Sequence, residues 1–410
     1  NHKLFTFIAW WFNLLPFDKV FLIRLPNAIA GVILLATFFY FAKRYFSNAV
    51  TLIGFAWLAT CVPVAIYMTI ARSYIYVILF SLLLLIHYFE VIRTTGKRYN
   101  RFLLTSTIVL GYLSNPTFLF GHFILSIYFL GQLLFQRKFK KLKPLLTGNL
   151  AALPFLCLIY SPDIFGSHFS GLVHTAYKAD TNENYFFDCI KFNADFQTGF
   201  ENMYFIFVVI LITGFALCFT KYSGSKNLLI YAVLSIAWLP FYALIVHDET
   251  SRHKTIFITI SVALILMFIV QAAVGKLIQN KYMLTLAALF LIFCNTINLN
   301  RHSWFKWSIV ADESVKKVST ILINSHAGDC YILPFYYKPG IEFYSKVNRK
   351  RIKLYMREPN SVDYDKSIFI TKNPEFVLTE PGTAMLFDIK KYHLIFKDEL
   401  IRLYKRNKPE

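Results

Sequence analysis

The stretch VAIYMTIARSYIYVILFSLLLL, residues 64–85, places one arginine between two long apolar runs. The run before Arg72, from Val50 to Ile70, has no charged residue, and neither has the run after it, from Tyr74 to Phe89. Each run is close to the roughly 20 residues that a helix needs to cross a bilayer. The stretch therefore predicts two membrane-spanning helices joined by a tight turn, with Arg72 at the membrane surface.

Long apolar runs recur over the first three quarters of the chain. Of the 410 residues, 56% are hydrophobic and 16% are charged, and the 43 Phe and 25 Tyr make aromatic residues unusually common. This composition is typical of a polytopic membrane protein and excludes an ordinary soluble domain. The predicted fourth and fifth spans are joined only by Ser114 to Thr117 and could instead be one broken helix or a re-entrant feature. The ten predicted spans are 25–42, 50–70, 74–92, 102–113, 117–135, 144–160, 203–220, 227–246, 254–275 and 282–297.

The positions of the charges give the predicted topology. The formal net charge of +20 would suit a nucleic-acid-binding protein, but the basic residues are concentrated in alternate connections between spans, where no acid occurs. The opposite connections are short or, between 161 and 202, rich in acids. The positive-inside rule makes the basic connections cytoplasmic and the others extracytoplasmic, so we expect no nucleic-acid partner. The basic connections contain Lys43, Arg44, Arg93, Lys97, Arg98, Arg101, Arg137, Lys138, Lys140, Lys141, Lys143, Lys221, Lys226, Lys276 and Lys281.

The segment 298–410 has a different pattern. DESVKKVSTILINS has helical spacing, DCYILPF predicts a strand, PGIEFYSKV predicts a helix begun by Pro339, and KSIFIT and YHLIFKD predict further strands. We therefore predict a multi-span membrane domain over 1–297 and a small extracytoplasmic α/β domain over 298–410. Because this topology puts Asn1 on the outer side, at least one further span is expected upstream.

Arg72 has two interpretations from its position alone. An arginine at the end of a span can anchor the helix by reaching headgroup phosphates. Alternatively, its planar guanidinium could hold a lipid-linked phosphate, for which its fork geometry is suited. A resemblance to a known family, described below, favours the second interpretation.

The other polar candidates lie in the predicted outer connections. In the long loop, Asp163, His168 and His174 could contact an acceptor, although an ordinary loop residue is the simpler interpretation of any single one of them. In the later hairpin, the acids could bind a divalent cation or pair with the arginine, and a solvated loop explains them as well. The six cysteines have no metal-ligand spacing, so no zinc site is predicted. The hairpin cluster contains His247, Asp248, Glu249, Arg252, His253 and Lys254.

Two segments together resemble a family of membrane enzymes. FLIRLPNAIAGVILLATFFYFAKRYF followed by ARSYIYVILFSLLLL is similar to the polyprenyl-phosphate-sugar glycosyltransferases of the C-type membrane superfamily (glycosyltransferase family 39-like), which contains protein O-mannosyltransferases and aminoarabinose lipid A transferases. The matching residues are Arg24 to Asn27, with Asn27 in place of a small hydroxyl residue, and Ala71, Arg72 and Tyr74. SNPTFLF, TSRHKTIFITISVALIL and NHKLFTFIAWWF resemble further family segments, with His253 where Tyr is common and Lys3 where Pro is common.

The resemblance implies an activity and its site. The enzyme would transfer a sugar from an undecaprenyl- or dolichyl-phosphate carrier to an extracytoplasmic lipid, glycan or protein, in a bacterial inner membrane to judge by composition. Arg72, Tyr74 and Arg252 would bind the donor phosphate. The family's catalytic acid lies in the first outer loop, which here is expected upstream of Asn1, and His2 would flank it. The implied partners are the carrier-linked sugar, the acceptor and membrane lipids.

Two alternatives to the transferase remain at this point. A transporter or flippase of lipid-linked saccharide would also use outer arginines, but it should show interrupted helices in corresponding positions of two halves. A non-catalytic relative that keeps the fold would be expected if no upstream acid exists. The sequence leaves open the sugar, the acceptor, metal dependence, the role of the C-terminal domain and the oligomeric state.

Overall fold

The computed structural model is mostly helical and divides into two compact units, Asn1–His302 and Ser303–Glu410. We call them the helical unit and the C-terminal unit. The structure describes residues 3–93, 98–165, 185–199, 204–220, 226–246, 255–277, 281–301, 303–332, 337–348, 350, 352–356, 374–380 and 391–407.

The described part of the helical unit consists of helices joined by turns. The helices are α1 (Lys3–Phe12), α2 (Lys19–Ala42), α3 (Asn48–Thr60), α4 (Val62–Thr69), α5 (Tyr74–Arg93), α6 (Arg98–Ser114), α7 (Phe118–Phe135), α8 (Phe139–Phe165), α9 (Tyr185–Thr198), α10 (Tyr204–Cys218), α11 (Lys226–Val246), α12 (Ile258–Leu277) and α13 (Lys281–Arg301). Helix α2 begins earlier than the predicted span because the Asp18 carboxylate caps it, accepting a hydrogen bond of 2.8 Å from the Phe21 amide.

Several described helices are long and apolar enough to cross a membrane. Four qualify alone, and a fifth span results if α3 and α4 count as one. Four of the other predicted spans correspond to shorter apolar helices within the described residues. The predicted span 102–113 lies in α6, which is helical but does not belong to either group of apolar helices. The four helices are Lys19–Ala42, Tyr74–Arg93, Phe118–Phe135 and Phe139–Ser161, and the shorter ones from the later part of the unit are Tyr204–Cys218, Lys226–Pro240, Ile258–Ala273 and Leu286–Leu299.

The predicted second span, 50–70, is not one straight helix. Helices α3 and α4 are bent by 52° at Cys61, whose backbone is extended with ψ 147°. Pro63 follows in the first turn of α4, where its missing N–H group costs no intrahelical hydrogen bond. The prediction of an unbroken helix was therefore wrong, because the uninterrupted apolar composition concealed the effect of one proline.

The predicted fourth and fifth spans are two separate helices, α6 and α7, joined by three residues. The Tyr112 hydroxyl, near the end of α6, lies 3.1 Å from His122 Nδ1, near the start of α7. In one straight helix, residues ten positions apart would be separated by about 15 Å. Helices α6 and α7 therefore do not continue each other as one straight helix.

The C-terminal unit is a mixed sheet with two described helices. Strand β1 pairs in parallel with β2 and β3, whereas β5 pairs antiparallel with β3 and β4, which gives the order β2-β1-β3-β5-β4. Strands β1 and β4 and helix α15 confirm predictions, the predicted strand KSIFIT lies outside the described residues, and β2, β3 and β5 were not predicted. The elements are α14 (Ser303–Asn324), β1 (Asp329–Ile332), α15 (Lys338–Val347), β2 (Lys353–Met356), β3 (Phe376–Thr379), β4 (Tyr392–Lys397) and β5 (Arg402–Arg406).

Candidate functional site

The two segments that carry the sequence resemblance meet through Asn27. Helix α2 places Asn27 three residues after Arg24, and the asparagine side chain is fully buried, with 0% of its surface exposed. Its Nδ2 group donates hydrogen bonds to the backbone carbonyls of Ile70 and Arg72, the latter at 2.6 Å. Because both hydrogens of one buried amide are used, the turn between α4 and α5 is fixed against α2.

The turn itself is tight. The Arg72 amide donates to the Ile70 carbonyl across three residues at 2.8 Å, and α5 begins two residues later. A second link lies one turn into α5, where the Tyr76 hydroxyl donates to the Pro26 carbonyl at 3.1 Å. Both ends of the turn are therefore tied to the same segment of α2.

Arg72 and Tyr74 lie together at this turn. Arg72 is exposed, whereas Tyr74 is buried with 7% of its surface exposed. The Arg72 guanidinium and the Asn115 side chain both lie within hydrogen-bonding reach of the Tyr74 hydroxyl. The Tyr74 ring packs on Tyr67 at 4.8 Å between centroids, and Tyr67 in turn contacts Phe196 at 6.0 Å. The exposed guanidinium is thus attached to a phenol that the surrounding rings hold in place.

Asn115 brings a third turn to the site. Its Oδ1 atom accepts a hydrogen bond of 2.9 Å from the Thr117 amide, and the Ser114 hydroxyl donates to the Gly111 carbonyl at 2.5 Å. These bonds satisfy backbone groups where α6 ends and α7 begins. We call the resulting group the Arg72 cluster, which consists of Asn27, Arg72, Tyr74 and Asn115.

A layer of buried polar side chains lies beside the cluster, between α9 and α12. The Thr259 hydroxyl donates to Gln197 Oε1 at 2.8 Å, and the Thr255 hydroxyl donates to Asn193 Oδ1. The Gln197 Nε2 group donates to the Thr255 carbonyl at 3.4 Å. These bonds fix the chain just before α12 next to α9, and Thr255 is three residues after the predicted phosphate ligand Arg252.

The structure describes only some of the residues predicted for the site. Arg72 and Tyr74, predicted to act together, do lie in contact. The prediction that Asp163 lies in a loop was wrong, because α8 continues to Phe165. Pro162 cannot donate to the Leu158 carbonyl, and the Ser161 hydroxyl donates to that carbonyl instead, at 3.0 Å. The predicted residues outside the described part of the chain are His2, His168, His174, His247, Asp248, Glu249 and Arg252.

Metal binding has no support from the described residues. They contain no group of three or more His, Cys, Asp and Glu side chains that could hold an ion. The acids of the predicted hairpin cluster, which could bind a divalent cation, lie outside them.

Two residues of the Arg72 cluster were not predicted to act there. Asn27 was noted only as a departure from the family pattern, and Asn115 only as part of an outer turn. Each is an asparagine next to a proline, Pro26 or Pro116, in or beside an apolar segment. An amide in such surroundings must find hydrogen-bond partners when it is buried, and that requirement is the signal that could have identified both.

Comparisons with known proteins add no assignment. Neither the models of known protein families nor the curated protein sequences match this chain. A functional proposal must therefore depend on the resemblance of short segments and on the geometry of the Arg72 cluster.

Proposed function

We propose that this protein is a membrane glycosyltransferase that moves a sugar from a polyprenyl-phosphate carrier to an extracytoplasmic acceptor. In this proposal the Arg72 cluster binds the phosphate of the carrier. The observation that supports it is the pair of hydrogen bonds from Asn27, which join the Arg-Leu-Pro-Asn segment to the Ala-Arg-Ser-Tyr turn 45 positions away. The two segments that suggest the family from sequence are therefore in direct contact, as one phosphate site would require.

The geometry suits a phosphate for two physical reasons. The guanidinium of Arg72 offers several N–H donors in a plane, and its contact with Tyr74 restricts its orientation before the ligand arrives. Helix α5 begins at Tyr74, so the positive end of its dipole lies next to the guanidinium. When the sugar leaves, negative charge builds up on the carrier phosphate, and these fixed groups would stabilise it.

The remaining parts of the proposal complete the site. Arg252 would supply a second cation for the phosphate, because Thr255 is held against α9 only three residues later. His2 would flank the general base, and the outer connections would contact the acceptor. The shorter apolar helices α10 to α13 would complete about ten spans. By the charge distribution, the Arg72 end and the C-terminal unit would face the outside of a bacterial inner membrane.

The test measures binding of undecaprenyl phosphate, which would be a reaction product whatever the sugar is. The purified full chain in detergent is titrated with undecaprenyl phosphate and, separately, with undecaprenol. We expect tighter binding of the phosphate, and Arg72→Ala should weaken it by about 10- to 100-fold, the value of a charge-assisted hydrogen bond of about 1.5 to 3 kcal/mol. Arg44→Ala is the matched control, because Arg44 pairs with Glu90 at 2.9 Å. Equal binding of the two lipids would contradict the proposal.

A transporter of lipid-linked saccharide is the second candidate. The 52° break between α3 and α4 favours it, since interrupted helices line the substrate sites of many transporters. No second bent pair occurs among the described helices, however, and a transporter of this type should have one in each half. An assay in proteoliposomes loaded with a polyprenyl-phosphate sugar distinguishes the two functions. A transferase releases polyprenyl phosphate when an acceptor is added, whereas a transporter moves the intact lipid between leaflets.

A further inference from the structure

The connection from α7 to α8 carries a dense positive charge together with the start of α8, and we call residues 135–143 the α7–α8 turn. Five basic residues occur within seven positions, and all of them are exposed or half-exposed. No Asp or Glu occurs anywhere in the sequence from Arg98 to Ser161, so nothing nearby along the chain offsets the charge. The basic residues are Arg137, Lys138, Lys140, Lys141 and Lys143.

Two exposed phenylalanines accompany these charges, one before them and one among them. Phe135, the last residue of α7, has 92% of its surface exposed, and Phe139, the first residue of α8, has 61%. Apolar rings beside lysines and arginines are typical of a surface that enters the headgroup region of a bilayer, where rings and charged groups are both accommodated. The turn therefore has both the charge and the apolar groups of a lipid-binding surface.

The backbone at Arg137 gives an independent indication. Arg137 has φ 54°, in the left-handed region that favours glycine. The Lys138 amide donates to the Leu133 carbonyl at 2.9 Å, and the Arg137 amide donates to the Leu134 carbonyl at 3.0 Å, which is the Schellman pattern that ends a helix. An arginine here is less favourable for the turn than a glycine. A residue kept in an unfavourable conformation suggests a role for its side chain.

A second basic region of the same unit provides a contrast. At the ends of α2 and α5, the Glu90 carboxylate pairs with Arg44 at 2.9 Å and lies 3.8 Å from Arg93. The charge of that region is thus partly neutralised by the protein itself. Among the described residues, no carboxylate forms an ion pair with the basic residues of the α7–α8 turn.

We infer that the α7–α8 turn binds the anionic headgroups of membrane lipids, with Phe135 and Phe139 inserted beside them. Lysine and arginine clusters next to a spanning helix attract anionic lipid headgroups over a distance set by screening. The ligand is the phosphodiester of a bilayer lipid. The inference does not depend on the proposed transferase function, since it concerns another turn and another ligand.

The test uses a fluorescent reporter at the turn. In the full chain carrying Phe135→Trp, reconstituted in mixed vesicles, quenching is compared between brominated phosphatidylglycerol and brominated phosphatidylcholine, and the signal of the native tryptophans is subtracted. We expect phosphatidylglycerol to quench on the order of threefold more, and about 1 M salt to abolish the difference. Phe219→Trp is the control, because Phe219 is also exposed, at 75%, directly after an apolar helix. It should show a smaller preference.

Two sets of substitutions separate the charge from the fold. Replacement of Lys138, Lys140, Lys141 and Lys143 by Gln in the reporter chain should remove most of the preference. Arg137→Gly should lower the preference while raising the unfolding midpoint in a neutral detergent, because glycine suits φ 54° better. Equal quenching by the two brominated lipids at low salt would overturn the inference. A preference that persists after the replacement of Lys138, Lys140, Lys141 and Lys143 would overturn it as well.

Discussion

Arg72 and Arg137 are both exposed arginines at turns between apolar helices, and the two turns are held in opposite ways. The turn at Arg72 is held by a distant residue, since the buried Asn27 amide bonds its carbonyls and Tyr74 contacts its guanidinium. The turn at Arg137 is held by its own backbone, through hydrogen bonds to Leu133 and Leu134. The first arrangement fixes a side chain and the second fixes only a chain reversal.

The difference indicates what each turn can do. A guanidinium restricted by neighbouring groups can recognise one ligand in one orientation, because less conformational entropy is lost on binding. A cluster of free, flexible cations attracts any anionic surface and gives little geometric selection. We therefore expect a specific phosphate site at Arg72 and a lipid-binding surface at Arg137.

The largest effect is expected at Asn27. Asn27→Leu keeps the volume of the side chain but leaves the Ile70 and Arg72 carbonyls without their donor, at a cost of about 1 to 3 kcal/mol in stability. The turn would no longer be fixed, so undecaprenyl phosphate should bind about as weakly as to Arg72→Ala. Thermal unfolding and lipid titration of the same sample measure both effects.

The control for the fully buried Asn27 is Asn149, a half-buried asparagine of the same unit. Asn149 Oδ1 accepts hydrogen bonds from the Tyr88 hydroxyl at 3.0 Å and lies 2.7 Å from His122 Nε2. Asn149→Leu should therefore cost similar stability and leave undecaprenyl phosphate binding unchanged. If both variants weaken binding equally, loss of stability explains the effect and Asn27 has no special role.

A smaller effect is expected at Tyr74. Tyr74→Phe keeps the ring packed on Tyr67 but removes the hydroxyl that contacts Arg72 and Asn115. The loss of one hydrogen bond of about 0.5 to 1.5 kcal/mol should weaken undecaprenyl phosphate binding by about two- to tenfold. An unchanged dissociation constant would mean that Tyr74 does not orient Arg72. The Arg72 turn would then differ from the Arg137 turn only through the hydrogen bonds of Asn27.

The smallest effect on this ligand is expected at Arg137. Arg137→Ala removes the same charge as Arg72→Ala, from a turn with no restricted guanidinium. Undecaprenyl phosphate binding should change by no more than about twofold, the range of exposed charges. A loss comparable with that of Arg72→Ala would show that the lipid phosphate responds to overall charge and not to the geometry of one site.

Much of the fold was predicted from the sequence, and the errors of that prediction have local causes. Long apolar runs predicted α2, α5 and α7 because burial in a bilayer leaves few other structures. The bend at Cys61 was missed since Pro63 interrupts no apolar pattern. In the C-terminal unit, β2, β3 and β5 have only 4 or 5 residues each, and their order depends on pairings between distant segments. Such pairings leave little trace in local periodicity.

The candidate site also contains one residue that the sequence predicted and one that it did not. Arg72 was identified because a lone charge between apolar runs is costly unless it has a use. Asn27 was not, since its partners are 43 and 45 positions away. The local pattern indicates where a polar residue needs partners, but only the fold identifies those partners.

The most direct measurement is a double-mutant cycle on undecaprenyl phosphate binding, with the dissociation constant determined for the wild type, Asn27→Leu, Arg72→Ala and the double variant. If Asn27 acts by holding the Arg72 turn, the double variant should bind no more weakly than Arg72→Ala alone. If the two losses simply add, Asn27 and Arg72 act independently, and the proposal that they form one phosphate site is contradicted.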